Sequence, residues 1–371
     1  MRYLIWIVCI LPIAKTQAQH TLSNQLDDYA QSIPSFYYGF TKVIMENIGD
    51  PIVLGTQMQH WNTSWRLKYG LSIATQAFGN QSFDINEIDR TELHRSESVQ
   101  YLGGLNSAYG GQDVTIIRQY LLAENGDRIV NPKTGEYVSF ETSMPGGLGG
   151  ILAVVPNVMP LLEIRPWKGL VLAGGYIPYG YFLRDMETGS FETKVHSLTL
   201  GASLDMRQFM KIPVLSWLRF DASYSQTNIG LSNFQDAIDL GENSLINIDI
   251  QNMTLQNDLS TLQYRGTLAI PATKKVVLLL QSGFYSHGYQ FNFDYDVDAN
   301  VNVEELKSEY NLDFEDTDLN ASGSFSREQD LGSNFYYSGG ILFEGSIAGV
   351  YVGYANINYP TFAIKTTLRL L

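Results

Sequence analysis

Several stretches of this chain alternate apolar and polar residues one by one for longer than an ordinary soluble strand lasts. From Ser64 to Gln76, one face carries Trp65, Leu67, Tyr69, Leu71 and Ile73, and the other carries Ser64, Arg66, Lys68, Gly70, Ser72 and Gln76. The pattern returns at Leu218, Phe220, Ala222 and Tyr224 against Arg219, Asp221, Ser223 and Ser225. It returns again at Leu262, Tyr264, Leu268 and Ile270 against Thr261, Gln263, Arg265 and Thr267, and near the C-terminus at Phe362, Ile364, Leu368 and Leu370 against Lys365, Thr367 and Arg369. A period of two puts successive side chains on opposite faces of a strand. A soluble β-sandwich shows the same alternation with its apolar face inward. Length separates the two: several runs exceed the roughly 5–6 residues of a soluble strand and reach the roughly 9–11 that a tilted strand needs to cross a bilayer.

The connections point the same way. Short turns fall at 166–169, 209–213, 271–275 and 345–349, while long polar segments fall at 80–150, 228–245 and 298–332, with a shorter one at 184–190. Short turns at one end and long loops at the other mark an outer-membrane barrel. Strands are expected near 63–79, 151–165, 170–182, 191–207, 214–227, 246–270, 276–297, 333–344, 349–357 and 361–371. The stretch 113–141, with Asn125-Gly126-Asp127 as its turn, either adds two strands or projects from the surface. Single-chain bacterial barrels have even strand counts, so the expectation is all-β, a transmembrane antiparallel barrel of about twelve strands within ten to fourteen. Trp65, Trp167, Trp217, Tyr179, Tyr181, Tyr337 and Tyr359 lie near strand ends, as interfacial girdles do.

Residues 1–18 read as a secretory signal, with Arg2, an apolar run from Leu4 to Ala14, and Thr16-Gln17-Ala18 before the cut. The one cysteine, Cys9, lies inside that run, so the mature chain has no disulfide or thiolate chemistry. Without Arg2 and Lys15, 22 Lys+Arg face 38 Asp+Glu, a net charge of −16 that excludes a nucleic-acid partner. No later apolar run is long enough for a transmembrane helix. The organisation expected is signal peptide 1–18, helical segment 19–60 and barrel 61–371. In the helical segment, Leu22, Leu26, Tyr29 and Ile33 keep helical spacing, as do Phe36, Phe40, Val43 and Ile44, and Pro34 is expected to separate two helices. They either plug the barrel from its periplasmic mouth or pack on its periplasmic rim.

No enzyme constellation is present: His20, His60, His94, His196 and His287 show no paired metal spacing, and the glycine cluster 146–150 lacks the rest of a phosphate loop. The expectation is therefore not an enzyme. With apolar faces toward lipid, the lumen candidates are Arg66, Lys68, Arg219, Asp221, Arg265, Glu344, Lys365 and Arg369. Closure of the barrel would bring Arg66 and Lys68 beside Lys365 and Arg369. These cations either pair with acids such as Asp221 and Glu344 or form an anion-attracting constriction. From Asp294 to Asp318 ten acids face the single Lys307. Asp294, Asp296, Asp298 and Glu305 have the 1, 3, 5, 12 spacing of a calcium loop, but Ala299 stands where that loop needs glycine. The competing reading is a strand leaving the membrane, with Phe291, Phe293, Tyr295 and Val297 toward lipid and the acids toward the mouth. No cofactor is expected beyond calcium at this acidic loop.

Certain blocks carry a resemblance: Trp61-Asn62, Gly169-Leu170-Val171-Leu172 leading to Tyr176-Ile177-Pro178, the segment His196 to Thr227, and Thr254-Leu255-Gln256 running to Ser282-Gly283-Phe284. Together they resemble an uncharacterised outer-membrane β-barrel family of Bacteroidota, similar in architecture to FadL-type long-chain fatty-acid transporters, which have an N-terminal plug. The chain departs from those transporters in having no Asn-Pro-Ala near the mature N-terminus and Leu371 in last place. The resemblance implies a passive transporter or channel for small molecules, hydrophobic ones included. The alternative is a non-conducting barrel that serves as a structural or assembly partner in an envelope complex. Partners expected are outer-membrane lipid, lipopolysaccharide and envelope proteins.

Overall fold

The computed structural model describes residues 22–55, 69–79, 92–102, 114–123, 125–144, 158–167, 169–186, 189–206, 209–212, 217–232, 246–301, 304, 308, 318–345, 348–356 and 360–369. A helix α1 (Leu22–Gly55) comes first. Then follow β1 (Tyr69–Gly79), β2 (Val99–Tyr101), β3 (Val114–Tyr120), β4 (Ser139–Met144), β5 (Val158–Trp167), β6 (Leu170–Met186) and β7 (Gly189–Asp205). The chain continues with β8 (Leu218–Ser232), β9 (Ile246–Pro271), β10 (Val276–Val301), β11 (Asp318–Glu344), β12 (Ala348–Asn356) and β13 (Pro360–Arg369). Among the described residues ten strands pair in the cyclic order β1-β13-β12-β11-β10-β9-β8-β7-β6-β5. The ring closes because β1 pairs antiparallel with β13 on one side, Ser72 opposite Arg369, and with β5 on the other, Tyr69 opposite Ile164. β2, β3 and β4 pair only with one another among the described residues, so the 113–141 hairpin belongs to a separate small sheet.

At one end of the ring 272–275 join β9 to β10 and 345–347 join β11 to β12, while 187–188 and 357–359 are short connections at the other end. The long connections gather at the other end. We call these the turn end and the loop end. The polar connection expected over 298–332 shrinks to 302–317, because β10 runs to Val301 and β11 starts at Asp318.

The reason for that extension lies in which face is apolar. Near the turn end of β10, Leu278, Leu280 and Phe284 point outward and are exposed, with Phe284 at 61%. Their inward alternates include the buried Gln281 and His287. Beyond His287 the faces exchange character while the pleat continues: Tyr289, Phe291, Phe293 and Val297 are buried, and Gln290 and Asp294 are exposed. The aromatic residues expected to face lipid therefore face inward, and Asp294, Asp296 and Asp298 face outward rather than into the mouth. In membrane barrels apolar residues go out where lipid covers the sheet and in where water does, and the burial along this strand follows that pattern. The eleven residues Val276–Ser286 span about 28 Å at a tilt of about 40°, close to the roughly 25 Å apolar band of such barrels. Exposed Leu172, Leu200, Phe220, Tyr264, Phe335, Tyr337, Ile341 and Val352 continue this belt around β6 to β12.

Helix α1 packs on the inward face of the extension. Tyr37 stacks on Phe293 at 5.8 Å, Tyr38 on Tyr289 at 6.0 Å, and Thr41 Oγ1 lies 2.8 Å from the Tyr289 hydroxyl. At its N-terminal end, Gln25 holds the small sheet: its Nε2 donates to the Leu122 carbonyl at 3.0 Å, and its Oε1 accepts from Leu122 N–H at 2.8 Å. The helix therefore starts at the loop end and runs toward the ring, the reverse of the periplasmic start expected. Pro34 does not split it. Proline removes one helical donor, but the run from Ser32 to Thr41 is buried on every side, and packing outweighs local propensity. Ser32 and Ser35 hydroxyls also bond to the carbonyls of Tyr29 and Ser32, at 2.6 and 2.9 Å.

Candidate functional site

The inward faces of β7, β8 and β9 form a polar wall. Ser197 and Thr227 hydroxyls are 3.0 Å apart, and Thr199 and Ser225 hydroxyls 2.8 Å, each pair cross-strand in register. Such pairs satisfy each other where water is excluded. Toward the turn end the wall becomes charged. Arg219 Nε donates to Ser203 Oγ at 2.5 Å and to Asp221 Oδ1 at 2.8 Å. Arg265 donates to Asp221 Oδ2 through Nε at 3.1 Å and Nη2 at 3.0 Å. All three are buried, Arg265 at only 4% exposure. One carboxylate thus bridges guanidiniums on two adjacent strands, a geometry that the antiparallel register produces by placing Asp221 opposite Arg265.

The adjoining wall differs. Inward residues of β9 to β12 form an apolar cluster of Ala269, Val277, Leu279, Tyr285, Tyr336, Leu342, Tyr351 and Ala355. Polar groups enter it in pairs: Ser338 Oγ donates to Gln281 Oε1 at 2.9 Å, Gln281 Nε2 donates to Thr267 Oγ1 at 3.2 Å, and Gln263 bonds the Tyr336 hydroxyl. Gly283 makes room for Tyr336, since a Cβ there would sit 2.3 Å from the Tyr264 carbonyl oxygen and 2.9 Å from the Tyr336 ring.

Of the residues singled out in the sequence, Arg219, Asp221 and Arg265 meet. Glu344 is buried at the turn end of β11, where its N–H donates to the Lys275 carbonyl at 2.7 Å. Lys365 and Arg369 lie on β13 opposite Gln76 and Ser72, and Arg66 and Lys68 lie outside the described residues, as do the signal segment, Trp65 and Tyr359. Asp27 and Asp28 do not approach the β1–β13 seam: Asp28 bonds His94 and Ser96 at the loop end. Asp294, Asp296 and Asp298 are alternate residues of a continuous strand, about 7 Å apart along it, so they do not converge as a calcium loop does. Glu305 lies outside the described residues, among which no group of three or more His, Cys, Asp or Glu converges.

Composition alone did not single out Gln263, Gln281, Tyr336 or Ser338. The signal was parity: on β10 the odd positions are inward from Val277 to Val297, so Gln281 and His287 share a face with Phe291 and Phe293.

No protein-family model and no curated protein matches the chain. Among solved structures it is similar to the translocator domain of autotransporter NalP from Neisseria meningitidis, with a TM-score of 0.37 and 9% identity over 88% of this chain and 95% of that one. It is also similar to CarO2 of Acinetobacter baumannii, at 0.18 and 11% over 57% and 92%. A third is the toluene transporter TbuX of Ralstonia pickettii, at 0.17 and 8% over 81% and 87%. The chain's own pairing and burial define it as an antiparallel β-barrel with an apolar outer belt, a two-sided lumen and a helix seated at its loop end.

Proposed function

We propose that the chain is a bacterial outer-membrane barrel that gives small molecules, hydrophobic ones included, a gated passive route, with α1 as its plug. The observation that carries this reading is the division of the lumen. A hydroxyl-lined and charged wall on β7 to β9 adjoins an aromatic and aliphatic one on β9 to β12, a lining that suits solutes with both characters. The exposed belt supports membrane insertion, because contiguous apolar surface of that extent is not left in water. Lipid and lipopolysaccharide are then its surroundings, and the loop end faces the cell exterior.

Planar-bilayer conductance tests it. The full chain should be closed or rarely open, and removal of residues 22–48 should give stable channels. A second reading, a non-conducting barrel that serves an envelope complex, is favoured by the burial of Arg219, Gln263, Arg265 and Leu279 in the lumen itself. Absence of conductance from both forms would select it.

A further inference from the structure

The connection from β1 to β5 sends one segment back along α1. Three helix residues at two-turn spacing, Asp28, Ser35 and Lys42, receive it on a single stripe. Asp28 Oδ1 lies 3.0 Å from His94 Nε2, and Asp28 Oδ2 accepts from Ser96 Oγ at 2.6 Å. Ser35 Oγ accepts from His94 N–H at 3.1 Å and lies 3.1 Å from the Tyr101 hydroxyl, which donates to the His94 carbonyl at 3.1 Å. Lys42 Nζ lies 3.6 Å from Glu92 Oε1. The segment runs antiparallel to the helix, with its early residues over the later helical turns.

We propose that residues 92–98 are a strap that keeps α1 seated in the outer mouth, and that Glu92 is its release point. Among the described residues, Glu92 is the strap residue that joins both bodies, since its other oxygen pairs with Arg327 of β11. Arg327 in turn lies over the Tyr38 ring at 4.6 Å. Lys42 and Glu92 side chains are only 14% and 12% exposed, so water does little to screen this pair. Loss of the Glu92 charge removes both attractions at once, so that among the described residues Lys42 keeps only Glu46 of its own helix as an acidic neighbour and Arg327, 40% exposed, turns to solvent. Helix and sheet then share no anion at this join, and α1 separates from β11 more easily. The strap thus sets how often the plug of the proposed route leaves its seat, a role that rests on that reading.

The test uses the full chain with its one cysteine, Cys9, replaced by serine. A single probe, Ser32→Cys, reports α1, because Ser32 is fully buried. A second probe in a separate protein, Ile117→Cys, reports the small sheet, where Ile117 is likewise buried. With Glu92→Gln, maleimide labelling at residue 32 should accelerate at least tenfold while residue 117 stays protected. Lys42→Met alone should also accelerate labelling at residue 32, and adding it to Glu92→Gln should change little further, because the two act through one pair. Unchanged labelling at 32, equal acceleration at both probes, or fully additive acceleration in the double variant would overturn the strap. Conductance of the helix-deleted chain is read separately. A latch that responds in a barrel that never conducts defeats the gated route alone, and a conducting barrel with an unresponsive latch defeats the strap alone.

Discussion

Asp221 accepts from Arg219 and from Arg265, all within a lumen wall closed to solvent. Removing one partner of a buried ion pair costs about 3–5 kcal/mol, because the other charge is left uncompensated. Asp221→Asn should destabilise the barrel by roughly that amount, read as a lower temperature for loss of heat-modifiable migration on gels. The double variant Asp221→Asn with Arg265→Met should be less destabilised than the single one. Equal or greater loss in the double variant would mean the pair is not a coupled unit. These three residues were legible beforehand because parity over Leu218–Ser225 and Thr261–Ile270 put all of them on the polar face. Their mutual contact was not, since strand register depends on turns and partners rather than on either strand alone.

Helix α1 carries its predictions at the level of an element. Asn24, Asp27 and Gln31 are exposed on its N-terminal half, beside the loop end. Cysteines there should react with an impermeant maleimide on intact cells, whereas a helix starting at the periplasmic mouth would label only after lysis. Tyr101, which holds the strap segment against Ser35, has its phenol pushed up to about 12 by burial. A raised phenol favours the folded form below its ordinary value near 10, and that contribution is lost as the pH rises through about 12. Phenolate absorbance near 295 nm should therefore show one group ionising near pH 12 that is missing from Tyr101→Phe. The helical periodicity of 22–48 was visible in the sequence; the continuity through Pro34 was not. A proline break is a local rule, and here burial of the turns on both sides overrides it.

For the whole molecule the decisive feature is the exchange of faces along β9, β10 and β11. Arginine on an outward position inside a lipid-covered belt costs about 2–4 kcal/mol near the midplane and little beyond the interface. Leu280→Arg should thus reduce folding into liposomes strongly, while Asn292→Arg, outward on the same strand beyond the belt, should fold as the parent does. Similar losses from both would mean that the belt extends past His287. The same exchange explains the acidic run: Asp294, Asp296 and Asp298 stand on the water-facing side of a sheet whose other face holds α1.

By itself the sequence determined the strand class, the antiparallel alternation of short turns and long connections, and the inward set on β8 and the barrel part of β9. Each is a local property: a period of two and a turn composition are written in consecutive residues. It did not determine that the 113–141 hairpin joins a separate sheet, that β10 and β11 continue far beyond the belt, or that α1 enters from the loop end. Those depend on what lies against each face. An alternating strand has one apolar side wherever it stands, and only the tertiary structure decides whether lipid or a helix covers it. That is why Phe291 and Phe293 read as lipid-facing from their own neighbours and lie instead against Tyr37 and Tyr38.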